Sequence, residues 1–156
     1  MVLPLDCNGN GKATKRMTTL AAKIIHISIE RDWHEVYVFM AKPENMPLWA
    51  SGLSSGLTRD GEEWVAPGPL GNARVRFAPD NAFGVVDHLV TLENGVKVHN
   101  ALRVVSNDDG AEVMFTLLRQ ADMSDEQFAG DAEWVAKDLA ALKSILESES
   151  DRTHHG

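Results

Sequence analysis

The feature that most restricts the fold of this chain lies near its C-terminus. Phe128, Ala132, Val135, Leu139, Leu142 and Leu146 recur at spacings of four, three, four, three and four. That pattern lays one apolar stripe along a helix of about five turns. Trp134 and Ile145 flank the stripe. Ser124 is placed to cap the helix, and Gln127 at the third position completes a capping-box pattern. A helix this long and this apolar on one side has to lie against a broad surface. Only a sheet built from the rest of the chain offers one.

The upstream sequence supplies that sheet. Over residues 24–30, Ile25, Ile27 and Ile29 alternate with His26, Ser28 and Glu30, the signature of a half-buried strand. A helix is expected next, with Asp32 as its cap, Glu35 completing a second capping box, and Val36, Phe39 and Met40 sharing a face. Pro43 and Pro47 are expected to end it, with Trp49 just beyond. Six strands are expected over 56–58, 62–66, 71–78, 84–92, 96–105 and 111–119. Asp60-Gly61 and Asn94-Gly95 read as two-residue hairpin turns. Pro67-Gly68-Pro69, Pro79-Asp80-Asn81 and residues 107–110 mark the other connections. Strands joined by hairpins make an antiparallel meander rather than a parallel sheet. The expected fold is therefore α+β, a helix-grip arrangement. A curved antiparallel sheet, one N-terminal strand plus a six-strand meander, wraps around the C-terminal helix, with short helices after the first strand.

A length of 156 residues holds one such domain with a core of its own. Residues 1–20 read as a flexible leader, 21–148 as the domain and 149–156 as a flexible tail in which His154 and His155 are weak metal ligands. The net charge of −8 argues against nucleic acid and against anionic lipid head groups, both of which need clustered Lys and Arg. One cysteine, Cys7, allows no internal disulfide. With no apolar run of spanning length and no signal-like stretch, the chain reads as cytoplasmic, without membrane insertion.

The element order, the Asp32–Trp49 segment, Gly84-Val85-Val86-Asp87-His88 and Phe128…Trp134-Val135…Asp138-Leu139…Leu142-Lys143 resemble the START-like, or SRPBCC, superfamily. That group includes polyketide cyclases, plant pathogenesis-related allergens and lipid-transfer domains. The likeness runs over residues 24–147 and is strongest to the bacterial polyketide cyclase/dehydrase-like branch. It implies a pocket for a hydrophobic ligand between sheet and helix; it does not imply a shared reaction.

Two polar residues interrupt apolar strand faces. His88 shares its face with Val86, Val90 and Leu92, and Asn100 shares its face with Val96, Val98, Leu102 and Val104. A histidine there suits acid–base work, since its proton affinity lies near neutral pH. The plain alternative is a core-edge histidine satisfied by one hydrogen bond. With Asn94-Gly95 as turn residues, His88 pairs with Ala101, one position from Asn100. Asp87 should face away as a solvated charge. His99 and Arg103 read as exterior, as do Arg74 and Arg76, with Glu62 or Glu63 as partners. Of the aromatic residues, Trp49 is expected to line the pocket and Trp134 to pack in the core, with Trp64 and Tyr37 further candidates for a wall. Ser51, Ser54 and Ser55 lack a nearby base, and no phosphate-cradling or metal-ligand spacing is present.

The leading expectation is a domain that binds a small hydrophobic or aromatic molecule, with no cofactor, through Trp49, Phe77, His88, Asn100, Phe115, Leu139 and Leu142. The first alternative is a cyclase or dehydratase in which His88 moves a proton. The second is a protein-interaction module whose core is filled by Phe77, Phe83, Met114 and Phe115. A homodimer is compatible with all three.

Overall fold

Ser124 and Gln127 form the reciprocal cap that the sequence implies. Gln127 N donates to Ser124 Oγ at 3.1 Å, and Ser124 N donates to the Gln127 side-chain oxygen at 2.8 Å. The computed structural model describes residues 16–68 and 71–153, with side chains as far as Ser148. Residues 1–15 of the expected leader and 154–156 of the expected tail, with His154 and His155, lie outside the described residues.

The architecture is α+β, a seven-stranded antiparallel curved sheet and a long C-terminal helix. The strands are β1 (Ala22–Ile29), β2 (Thr58–Asp60), β3 (Glu63–Gly68), β4 (Gly71–Phe77), β5 (His88–Thr91), β6 (Lys97–Asn107) and β7 (Gly110–Leu118). The helices are α1 (Trp33–Met40), α2 (Met46–Trp49) and α3 (Asp125–Thr153), so α3 continues five residues into the segment expected as tail. The sheet order β1-β7-β6-β5-β4-β3-β2 joins the N-terminal strand to the last strand of the meander. Ile25, Ile27 and Ile29 pair with Phe115, Val113 and Ala111 and face inward. On the other face, His26 and Ser28 both bond the carboxylate of Glu112, His26 at 2.6 Å and Ser28 at 2.6 Å.

The stripe on α3 packs against this inner face. Leu139, Leu142 and Leu146 are buried in one cluster with Ile29, Val36, Met40, Val104 and Val113. Alongside β1, Lys23 lies over the Phe128 ring, Lys143 Nζ donates to Ser28 O at 2.7 Å, and Glu30 N donates to Glu147 at 2.9 Å. Asp32 caps α1 by accepting from His34 N and Glu35 N. The second capping box is only half formed, because Glu35 turns instead to Arg31 Nε at 2.7 Å. Tyr37, rather than Phe39, is the buried aromatic of α1, and its hydroxyl accepts Asn81 N at 2.8 Å. Pro47 starts α2 rather than ending a helix, which puts Trp49 on the last position of a helical turn.

Three further expectations are corrected. The turn after Leu92 has three residues, Glu93, Asn94 and Gly95. It is closed by Leu92 N donating to Val96 O, with Gly95 at φ 84°. Such a loop, ending in a left-handed glycine, moves the register by one relative to a two-residue turn. His88 therefore stands directly opposite Asn100, not Ala101.

The strand expected over 84–92 is regular only from His88 to Thr91. Gly84–Val86 still runs beside β6, with Val85 bridging to Arg103 and Val104 N donating to Gly84 O at 2.9 Å. The ladder is interrupted because Leu102 N donates to the Asp87 carboxylate at 2.9 Å. The first meander strand is displaced to Thr58–Asp60, since Gly61 and Glu62 make its turn and Gly61 takes φ 65°.

Gly84 is required by the close approach to β6. It sits at φ 71°, and a β-carbon there would lie 1.9 Å from Val104 O. Gly84→Ala is expected to destabilise the domain by about 2–3 kcal/mol, combining left-handed strain with displacement of a backbone hydrogen bond. A lower midpoint in urea at unchanged slope is the expected reading; an unchanged midpoint would contradict the close approach.

Candidate functional site

The inner strand face carries a row of three aligned residues. Phe77 of β4 pairs with His88 of β5, and His88 pairs with Asn100 of β6. Paired residues of antiparallel strands project to one side, so the polar interruptions seen in the sequence stand side by side. A cavity of about 250 Å³ opens between this row, α2 with the turn that follows it, and α3. His88, Asn100 and Phe115 line it from the sheet, Trp49 from α2, and Leu139 and Asp138 from α3. Two of the residues expected to line it do not. Phe77 backs the His88 ring with centroids 5.6 Å apart, and Leu142 is sealed in the core below.

The polar groups of this cavity are unusually under-used. His88 is 7% exposed, and its Nδ1 makes the one hydrogen bond of the ring among the described residues, to Val86 O at 3.3 Å. A nitrogen facing a carbonyl carries the hydrogen, so neutral His88 presents the Nε2 lone pair as an acceptor. Burial pushes the His88 pKa below its ordinary value of 6.5, against the smaller upward pulls of Val86 O and Asp87. Trp49 is 6% exposed; its ring lines the cavity, while its indole Nε1 is sealed away from the open space and has no hydrogen-bond partner among the described residues. An unpaired buried donor costs about 1–3 kcal/mol. The Asn100 amide makes no side-chain hydrogen bond among the described residues. Asp138 Oδ1, by contrast, accepts from Ser51 N at 3.2 Å and from Ser51 Oγ at 2.7 Å, clasping the turn after α2 to α3. Among the described residues no group of three metal-ligating side chains occurs.

Asp87 points outward as its parity requires, but it is a tied charge rather than a solvated one. Arg103 holds it with two bonds of 2.9 and 2.8 Å, and His99 lies 3.6 Å away. The Arg103 guanidinium and the Leu102 N–H lower the Asp87 pKa below its usual range. Arg74 and Arg76 likewise face outward, both onto Glu63. Trp134, expected in the core, is 56% exposed and lies along the cavity mouth. Phe83 is 81% exposed, and Met114 pairs with His26 on the outer face, so neither fills the interior.

Sequence reasoning missed Asp138, Met46 and Leu53 on the cavity wall. Asp138 precedes Leu139 in the apolar stripe, which is a signal for a carboxylate at the edge of the buried face. Nothing local marks Met46 or Leu53, because the fold of the turns around α2 places them.

No family model matches the chain, and no curated protein matches it at significance. Solved structures do. The protein XoxI from Bacillus cereus is similar at 12% identity and TM-score 0.65, over 84% of this chain and 99% of that one. The Aha1 dimer from Colwellia psychrerythraea is similar at 13% identity and TM-score 0.63, over 82% and 97%. DynU16, a protein in the dynemicin biosynthetic locus, is similar at 12% identity and TM-score 0.63, over 82% of this chain and 48% of its own length. This chain thus spans about half of DynU16. Likeness at these identities shows a shared fold.

The two neighbouring groups, Asp87 and His88, weaken the fold in different parts of the acid range. A lowered histidine pKa means that the unfolded chain binds the proton more readily, so stability falls as pH drops below 6.5. Asp87 contributes stability above its unfolded value of 3.8, and this is lost only as pH falls below that. Unfolding in urea at pH 7.5 and pH 5 is expected to show a decline in the wild type that is shallower in His88→Phe. An identical decline in both would exclude His88 as its source.

Proposed function

We propose that this chain is a START-like ligand-binding domain that holds a small, uncharged, ring-bearing molecule in the cavity beneath Trp49. The observation that carries the reading is the pair of polar groups standing side by side on the cavity wall, the unused Nε2 of His88 and the amide of Asn100, neither with a hydrogen-bond partner among the described residues. A ligand carbonyl or hydroxyl oxygen meets the Asn100 donor, a ligand hydroxyl hydrogen meets His88, and the Trp49 ring covers the ligand. Apolar contact with Phe115, Leu102, Val135 and Leu139 supplies most of the affinity. No Lys or Arg lines the cavity and Asp138 does, which disfavours a carboxylate ligand. The volume of about 250 Å³ lies just below the common range of roughly 300–1,000 Å³ for ligand pockets. It suits one or two rings.

A second reading is favoured by the uncharged His88. At neutral pH its Nε2 can accept a proton from a ligand carbon or hydroxyl beside a carbonyl held by Asn100, the step a cyclase or dehydratase of the polyketide cyclase/dehydrase-like branch needs. The fold shared with a protein from a biosynthetic locus supports keeping it. Unchanged turnover of an identified substrate by His88→Ala would remove this reading and leave the first.

Native mass spectrometry of gently purified protein, followed by calorimetric titration with 4-ethylphenol, tests the binding reading. Saturable one-to-one binding is expected. Asn100→Leu, which keeps the side-chain volume and loses the amide, should weaken it by about 5- to 10-fold, the worth of one hydrogen bond. The absence of both a co-purifying molecule and saturable binding would overturn the proposal.

A further inference from the structure

β6 serves two neighbours in turn. Residues from Lys97 to Asn100 pair with β5, and residues from Ala101 onward pair with β7. The β6–β7 ladder begins at Ala101 opposite Thr116, while Leu117 and Leu118 pair with Lys23 and Ala22 of β1 instead. The sheet therefore parts between the start of β6 and the end of β7. A crevice of about 480 Å³ fills the parting, bounded by Val98, His99, Leu117 and Leu118 on the strands, by Met123 just ahead of α3 and by Asp131 in its second turn. Four residues, Asn100, Phe115, Trp134 and Val135, line both this crevice and the smaller cavity. These four residues form a wall common to the two spaces. Trp134, half exposed on α3, borders both of them.

We propose that the crevice is a second compartment for the same ligand, which is an elongated uncharged molecule with a hydroxyl-bearing ring at one end and an apolar chain at the other. The inference rests on the reading of the smaller cavity as a binding site. The ring occupies the cavity, where unpaired polar groups fix its hydroxyl. The chain passes between Asn100, Phe115 and Trp134 into the crevice, where Val98, Leu117 and Leu118 cover it. An anionic tail is disfavoured. Asp131 is the one charged residue among the crevice lining, no Lys or Arg lines either space, and Asp138 stands at the cavity wall. The exposed indole of Trp134 then has a role: its face covers the chain at the crossing between compartments.

Calorimetric titration with 4-ethylphenol and 4-hexylphenol separates the two compartments. The longer probe is expected to bind wild-type protein at least about tenfold more tightly, because its extra methylenes leave water. Met123→Trp and Asp131→Trp each fill the crevice from residues that do not line the cavity. Asp131 is exposed on α3, so its replacement leaves the core untouched even if the Met123 variant folds poorly. Both variants should bind 4-ethylphenol within about twofold of wild type and lose most of the gain for 4-hexylphenol. If 4-hexylphenol binds no tighter than 4-ethylphenol, or keeps its full advantage in the filled variants, the second compartment is overturned and the cavity reading stands. If wild-type protein binds neither probe, both fall together.

Discussion

The burial of one helix face holds the molecule together. Leu139, Leu142 and Leu146 are withdrawn from water between α3 and the sheet, and each such side chain contributes about 1.5–3 kcal/mol. The densest packing belongs to the C-terminal half of the stripe. In the N-terminal half Phe128 is buried at the far end, but Val135 and Ala132 are only partly buried, and there the helix borders open space. Both the cavity and the crevice lie under that half. One end of α3 seals the core, and the other roofs the binding region.

The polar groups beneath that roof follow from strand pairing. Once the Gly95 turn sets the register, the β5–β6 pairing puts His88 against Asn100. The carboxylate of Asp87, clamped by Arg103, takes the Leu102 N–H and keeps this part of the sheet in place from outside. A charged pair on the solvent side thus positions an uncharged histidine on the inner side. The two residues are adjacent in sequence and opposite in environment, and burial and ion pairing move their proton affinities for different reasons.

Much of this was legible in the residues. Alternation assigned Ile25, Ile27, Ile29, His88 and Asn100 to the inner face, and helical spacing named Leu139, Leu142 and Leu146, because periodicity reports which side meets the core. It could not count turn residues. Asn94-Gly95 fits a two-residue turn as well as the end of a three-residue one, so the direct His88–Asn100 pairing was missed by one position. Nor does it report how far a surface is covered. Trp134 sits on the flank of the stripe and is exposed because the sheet beneath it has parted. The unpaired Trp49 indole depends on how α2 meets the strands, which no local pattern carries.

The bonds between α3 and β1 bear on how copies of this chain meet each other. An open sheet ends in unpaired backbone groups, and a long bare edge invites strands from other molecules to add to it. Here one edge, β2, is only three residues long. At the other, Lys143 takes the carbonyl of Ser28 and Glu147 takes the amide of Glu30. Those are groups an incoming strand would need. The helix that closes the core also blunts the sheet against fibril-like growth.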